Sequence, residues 1–269
     1  IRNSTFPQDE IMKELGVIKE EINRRDDDPS GKLHDEIYKI VFPETPYSHP
    51  VLGTRESVSQ LTREDFKNYL SKFYVPNNMT AVVVGDIKTE DAIQEIKNLT
   101  ADWKADESVE EKFANFEVLR QEAIHELILE KDVNMSYVLM AFQTSGHSDK
   151  RENATLDVVS SILGEGRSSR LYKRIVEKEQ IAPTVQAYIY PMTRSGMFVV
   201  YGTMDSGNVQ KFRETVIEEV ERIRNESPDP EELKKVKTML KADFQFSNET
   251  NSDIAQTLGY YNTLDMLDR

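Results

Sequence analysis

Thr184-Val-Gln-Ala-Tyr-Ile-Tyr190 and Met197-Phe-Val-Val-Tyr-Gly-Thr203, on either side of Pro191 to Gly196, read as two β-strands: both are rich in β-branched and aromatic residues and turn-prone residues separate them. Two long helical patterns follow, Val209 to Asn225 and Pro230 to Phe246, and a third lies near Asp253 to Asn262. Upstream, Ala123 to Glu130 and Ser136 to Gln143 are a second strand pair, joined by the turn-prone Lys131-Asp132-Val133-Asn134. Helical patterns at Glu152 to Leu163 and Ser168 to Glu179 come next. Pairs of strands alternating with groups of helices predict an α+β fold rather than a doubly wound parallel sheet.

The N-terminal part carries the same mixture. Thr5 and Gln8 have the spacing of a capping box, Pro7 suits a first turn, and a helix is expected to run to about Arg25, ended by Asp26-Asp27-Asp28-Pro29. An amphipathic segment from Leu33 to Phe42 leads into the irregular stretch Pro43 to Gly53. Thr62 caps a further helix with Phe66, Leu70 and Phe73 on one face, Pro76-Asn77-Asn78 turns the chain, and Met79 to Val84 reads as a buried strand ahead of a helix at Thr89 to Leu99. From Trp103 to Glu117 periodicity disappears. A linker at 104–117 is therefore expected between a first domain, 1–103, and a second, 118–269.

Composition narrows the functions. The 269 residues carry a formal charge of −14, which argues against a nucleic-acid surface, since phosphate binders gather Lys and Arg. No apolar run approaches the roughly 18 residues that span a bilayer, so no membrane insertion is expected. The absence of cysteine excludes disulfides, thiolate metal sites and cysteine nucleophiles.

Two acids stand out. Glu14 and Glu21 are seven residues apart, about two helical turns, so they point the same way. With Ile11 at zero on a helical wheel, Leu15, Ile18 and Ile22 fall within about 40°, and the two acids lie just beside that stripe, with Val17 on their far side. Carboxylates at a half-buried face need donors or a cation; the ordinary alternative is a solvated boundary of an amphipathic helix. The four histidines, His34, His49, His125 and His147, show no ligand spacing. They are expected on a solvated helix surface, in a His-Pro loop, on a strand and in a turn, respectively.

The ordered set Glu14-Leu-Gly-Val-Ile-Lys-Glu-Glu21-Ile, Asp26-Asp-Asp-Pro29, His49-Pro-Val-Leu-Gly-Thr54, Leu61-Thr62, Tyr74-Val-Pro-Asn-Asn-Met79 and Val82-Val-Val-Gly-Asp86 resembles the insulinase/pitrilysin family of zinc metallopeptidases, its processing-peptidase-like bacterial members above all. Leu163-Gly-Glu-Gly-Arg-Ser-Ser-Arg-Leu-Tyr172 and Glu249-Thr-Asn-Ser-Asp-Ile-Ala-Gln-Thr-Leu-Gly-Tyr-Tyr261 are similar to segments of its second domain. The resemblance implies two related α+β domains, each a mainly antiparallel sheet packed with helices, forming half of a clamshell. It implies Zn2+ held by two histidines of a His-x-x-Glu-His helix and one downstream glutamate. Glu21 matches that metal ligand, and Glu14 matches a companion acid that supports the site from outside the ligand set. The implied activity is a zinc-dependent endopeptidase cleaving peptides in a chamber. The implied partners are a peptide substrate and a complementary clamshell half on the same or another chain, in a bacterial cytoplasm or periplasm. A non-catalytic scaffold or partner subunit of the same fold is the rival expectation.

Two departures qualify these implications. No His-x-x-Glu-His occurs, so the sequence reads as the middle of a longer polypeptide, expected to hold zinc poorly and to be inactive alone. Where the family grips peptide with an Arg and a Tyr, the matching positions are Val176 and Pro183. Arg174 and Tyr188 stand nearby at the wrong spacing and receive no role. Gly164 to Ser169 reads as a tight turn and helix cap, not a phosphate loop, because no Gly-Lys-Ser/Thr follows.

Overall fold

The computed structural model describes residues 2–106, 116–264, 266 and 267. Most of the expected linker, 107–115, lies outside the described residues. The chain divides into two compact units, each assembled from separated stretches: Ile1–Asn23, Leu52–Phe116 and Asp243–Arg269 in one, Arg24–Val51 and Glu117–Ala242 in the other.

The unit containing Arg24–Val51 and Glu117–Ala242 is built on a three-stranded antiparallel sheet of β1 (Ser136–Ser145), β2 (Thr184–Pro191) and β3 (Ser195–Met204), in the order β1-β3-β2. The register pairs Leu139 with Tyr201 and Ala187 with Val200. As the central strand β3 is covered on both faces, so its sequence is almost continuously apolar instead of alternating. Phe198, Val200 and Met204 join Val138, Met140, Phe142, Val185 and Ala187 on one face. Met197 and Val199 join Leu139, Ala141 and Tyr188 on the other. The fully buried ones, Met197, Val199, Val200 and Met204, each contribute about 1.5–3 kcal/mol relative to exposure.

Helices cover both faces. On the first lie α6 (Lys150–Gly164) and α7 (Val209–Asn225), with the π-helical segment Tyr172–Lys178; they bring in Leu163, Phe212, Val216, Leu171 and Ile175. On the second lies α2 (Pro29–Val41), through Ile37, Tyr38 and Val41. This helix begins earlier than the apolar pattern predicts: Pro29 suits its first turn, and the Asp28 carboxylate accepts from the N–H groups of Ser30 and Gly31. The acidic turn thus caps the second helix, while Lys131 caps the helix before it by donating to the carbonyls of Asp26 and Asp27. Pro230–Phe246 forms α8 with the bounds read from the sequence.

The other unit is helical among its described residues. Its core is Ile11, Leu15 and Ile22 of α1 (Gln8–Asp27) against Val58 of α3 (Arg55–Gln60), with Phe6, Ile18, Leu52 and Phe66 around them. Thr5 and Gln8 make no capping box: Phe6 turns through φ +48°, and Arg63 takes the carbonyls of Thr5 and Phe6 with its guanidinium. The expected cap at Thr62 is present as a reciprocal box with Asp65 at the start of α4 (Arg63–Phe73). α5 (Thr89–Thr100) and α9 (Asn251–Thr263) complete the unit. The expected strand at 79–84 makes no ladder among the described residues, and neither does the one at 123–130 in the sheet-bearing unit.

Candidate functional site

On α1, the stripe Ile11, Leu15 and Ile22 is buried, and Glu14 and Glu21 are exposed beside it with Val17 on their far side, 54% exposed. The helix therefore presents the two acids as its apolar periodicity requires. Neither carboxylate has a hydrogen-bond or ion-pair partner among the described residues, although neighbouring acids do: Glu10 binds Lys13 at 2.7 Å and Glu20 accepts from Asn23 at 3.4 Å. Two unneutralised carboxylates on one helical strip attract cations. Among the described residues no three or more His, Cys, Asp or Glu side chains gather as a metal-binding group. Two oxygen donors with no nitrogen donor do not fit a zinc site by themselves.

The histidines are placed apart. His49 and His125 are exposed. His147 lies in the turn after β1, its N–H donating to the Met192 carbonyl at 2.8 Å, and burial pushes its imidazole below the usual range. His34 corrects the expectation of a solvated residue: it is half-buried on the face of α2 turned to the sheet. Its Nδ1 lies 2.9 Å from the Ser30 carbonyl and its Nε2 3.1 Å from the Tyr188 hydroxyl. A carbonyl only accepts, so Nδ1 carries the proton and Nε2 accepts from the tyrosine. Burial, reinforced by Tyr190, pushes the Tyr188 hydroxyl far above its ordinary pKa and keeps it a neutral donor. The pair ties α2 to β2 and leaves no ligand nitrogen free.

The positions matching a peptide grip offer none. Val176 packs against the sheet core from the π-helical segment, and Pro183 is exposed just before β2. Arg174 is fully engaged, donating to Glu179 at 2.8 Å, to Glu219 at 2.9 Å and to Glu218. Gly164 to Ser169 is the expected tight turn, with Gly166 at φ +69° and the Ser169 hydroxyl donating to the Gly166 carbonyl at 2.8 Å.

One ion pair here carries a pH prediction. Arg170 grips Glu232 with Nη2 at 2.6 Å and Nε at 3.1 Å, and this hydrogen bonding holds the Glu232 carboxyl below its ordinary value. A carboxyl whose folded pKa is depressed stabilises the fold above its unfolded pKa, about 4.3 for glutamate, and that contribution disappears as pH falls through the folded value. Glu232→Gln should therefore flatten the acid side of a plot of urea midpoint against pH, below about pH 4.5. Parallel curves for both proteins would show that the pair contributes nothing.

The comparisons with known proteins point one way. The family model described as Peptidase M16 inactive domain matches residues 60–240. An uncharacterized zinc protease of Rickettsia bellii is 25% identical over 259 residues, 96% of this chain and 61% of its own length. The uncharacterized zinc protease YmxG of Bacillus subtilis is 26% identical over 274 residues, 98% of this chain and 64% of its own length. Among solved structures, a protease from Helicobacter pylori superposes with TM-score 0.90 at 23% identity, covering 97% of this chain and 64% of that one. The chain thus spans about three fifths of the length of the curated relatives it matches.

Proposed function

The chain belongs to the peptidase M16 family, and on that premise we propose that it is part of a zinc-dependent endopeptidase. The observation that carries the reading is Glu21, a carboxylate beside a buried stripe with no partner among the described residues, seven residues from an equally unpaired Glu14. In this reading Glu21 is the metal ligand that the described residues supply, and Glu14 supports the site from outside the ligand set. The nitrogen donors and the general base belong to sequence outside these residues, so the 269 residues alone neither retain zinc nor cleave peptides. Relatives named zinc proteases support the same activity for the whole protein.

The reading extends to a peptide as substrate and to a complementary clamshell half on the same or another chain, which also supplies the grip that Val176 and Pro183 lack. It includes two related domains, 1–103 and 118–269, about a linker at 104–117, and a bacterial cytoplasm or periplasm as compartment. Among the described residues no helix is long and apolar enough to cross a membrane. The test is zinc content and peptide hydrolysis of the complete gene product with and without Glu21→Gln. Unchanged zinc would remove Glu21 from the ligand set. A second reading, a non-catalytic partner subunit, is favoured by the description of the matching model as an inactive domain and predicts that neither quantity moves.

A further inference from the structure

We propose that residues 172–181 are a two-state element of the fold, a wide π turn in the observed state and an α-helix in the other, and that Arg174 is the latch that selects between them. Nothing in the local sequence asks for the wide turn. From Arg170 to Ala182 there is no glycine or proline, and the Lys, Arg, Glu and Gln residues of that stretch are good α-helix formers. The observed hydrogen bonds nevertheless reach back further than four residues: the Glu179 N–H donates to the Arg174 carbonyl at 2.9 Å, and the Ile181 N–H to the Ile175 carbonyl at 2.8 Å. Between those two donors Gln180 stands at φ +52°, a left-handed conformation that costs an L side chain free energy and costs glycine none. A backbone at odds with its local preference is held by its surroundings, and such strain gathers at switch regions.

Helix α7 supplies the hold. Arg174 donates to Glu218 and Glu219 on that helix and to Glu179 at the end of the turn. Lys211 draws Glu179 to the same helix at 3.2 Å, and the Ile181 carbonyl accepts from Asn208, just ahead of α7, at 2.9 Å. Glu219 is only 4% exposed, so its pairing with Arg174 lies away from bulk water, where losing the partner leaves a buried charge uncompensated. One guanidinium thus grips both α7 and the end of the wide turn. Without that fork the segment is free to close i to i−4 bonds and return Gln180 to negative φ. Pro183 bounds the second state, because the residue before a proline avoids the α region: the helix would reach Ile181 and stop. The change is therefore confined to the lead into β2, an edge strand of the described sheet. The element uses no carboxylate of α1 and stands apart from the zinc reading.

A cycle of substitutions in the complete gene product tests it, with urea midpoints converted to folding equilibrium constants. In the parent, Gln180→Gly should raise that constant about threefold, since glycine relieves the left-handed strain by more than it loosens the unfolded chain. Arg174→Lys keeps a charge beside Glu219 but loses the fork. In that background the same glycine falls inside an α-helix and should lower the constant about twofold. Glu179→Gln, which cuts the fork at the turn and leaves Glu219 paired, should shrink the gain without exposing a buried carboxylate. An equal gain in all three backgrounds would overturn the proposal, because Gln180 would then be left-handed whether or not Arg174 is engaged. A glycine that lowers the constant in the parent would overturn it too, by showing that position 180 holds no strain.

Discussion

Replacing Glu21 by Gln in the complete gene product is expected to lower zinc affinity by at least about 100-fold and peptide hydrolysis by more than that, with the thermal midpoint of the zinc-free protein shifted by less than about 2 °C. The expectation rests on what the substitution keeps and what it removes. Gln matches Glu in shape and helix propensity. The side chain is exposed and makes no hydrogen bond or ion pair among the described residues, so nothing in the core of Ile11, Leu15, Ile22 and Val58 registers the change. Only the negative charge and the ligand strength of a carboxylate oxygen are lost, and a divalent ion is the partner that depends on both. Glu14→Gln should cost about 10- to 100-fold in zinc affinity, because an acid that acts through another ligand is worth less than the ligand. Equal losses at the two positions would reassign Glu14 as a ligand. A change in neither would leave α1 a solvated amphipathic helix and favour the partner-subunit reading.

What the sequence made legible depended on how local the determining physics is. The bounds of α7 and α8 follow from a sustained 3.6-residue period, and β2 and β3 from dense β-branched and aromatic runs around a turn. Helix α3 escaped notice because six residues hold too little periodicity, and its signal, the Thr54 box closed by Ser57, uses a serine in place of the usual acid or amide. Leu171 and Ile175 keep the spacing of an α-helix, so nothing local announced the π-helical register. His34 precedes Ile37 and Val41 by three and seven residues and therefore shares their buried face, a local signal against the expectation of a solvated position. Pairing is the least local property of all. The runs 79–84 and 123–130 read as strands, yet neither makes a ladder among the described residues, because local propensity does not supply a pairing partner. The candidate site divides the same way: α1 alone sets the common direction of Glu14 and Glu21, whereas their ligand role needs donors from elsewhere.

Two glycine-to-alanine substitutions should move stability in opposite directions although the added atom is the same. Gly164 ends α6 where it meets β2, and a Cβ there would stand 2.1 Å from the backbone nitrogen of Ala187 and 2.5 Å from its Cβ. No rotamer relieves a clash with backbone, so α6 or β2 must shift, and β2 is held by its ladder to β3. Gly164→Ala should cost about 3 kcal/mol or more, a fall of about 10 °C in the thermal midpoint. Gly16 lies exposed inside α1, where a Cβ would meet nothing within 4 Å. There the alanine only restricts the unfolded chain and favours the helix, so Gly16→Ala should raise the midpoint of the 269-residue chain by about 2 °C, equivalent to about 0.5–1 kcal/mol. A Gly164→Ala protein as stable as the parent would mean that α6 and β2 do not approach this closely. A destabilised Gly16→Ala would mean that the exposed strip of α1 beside Glu14 is already covered.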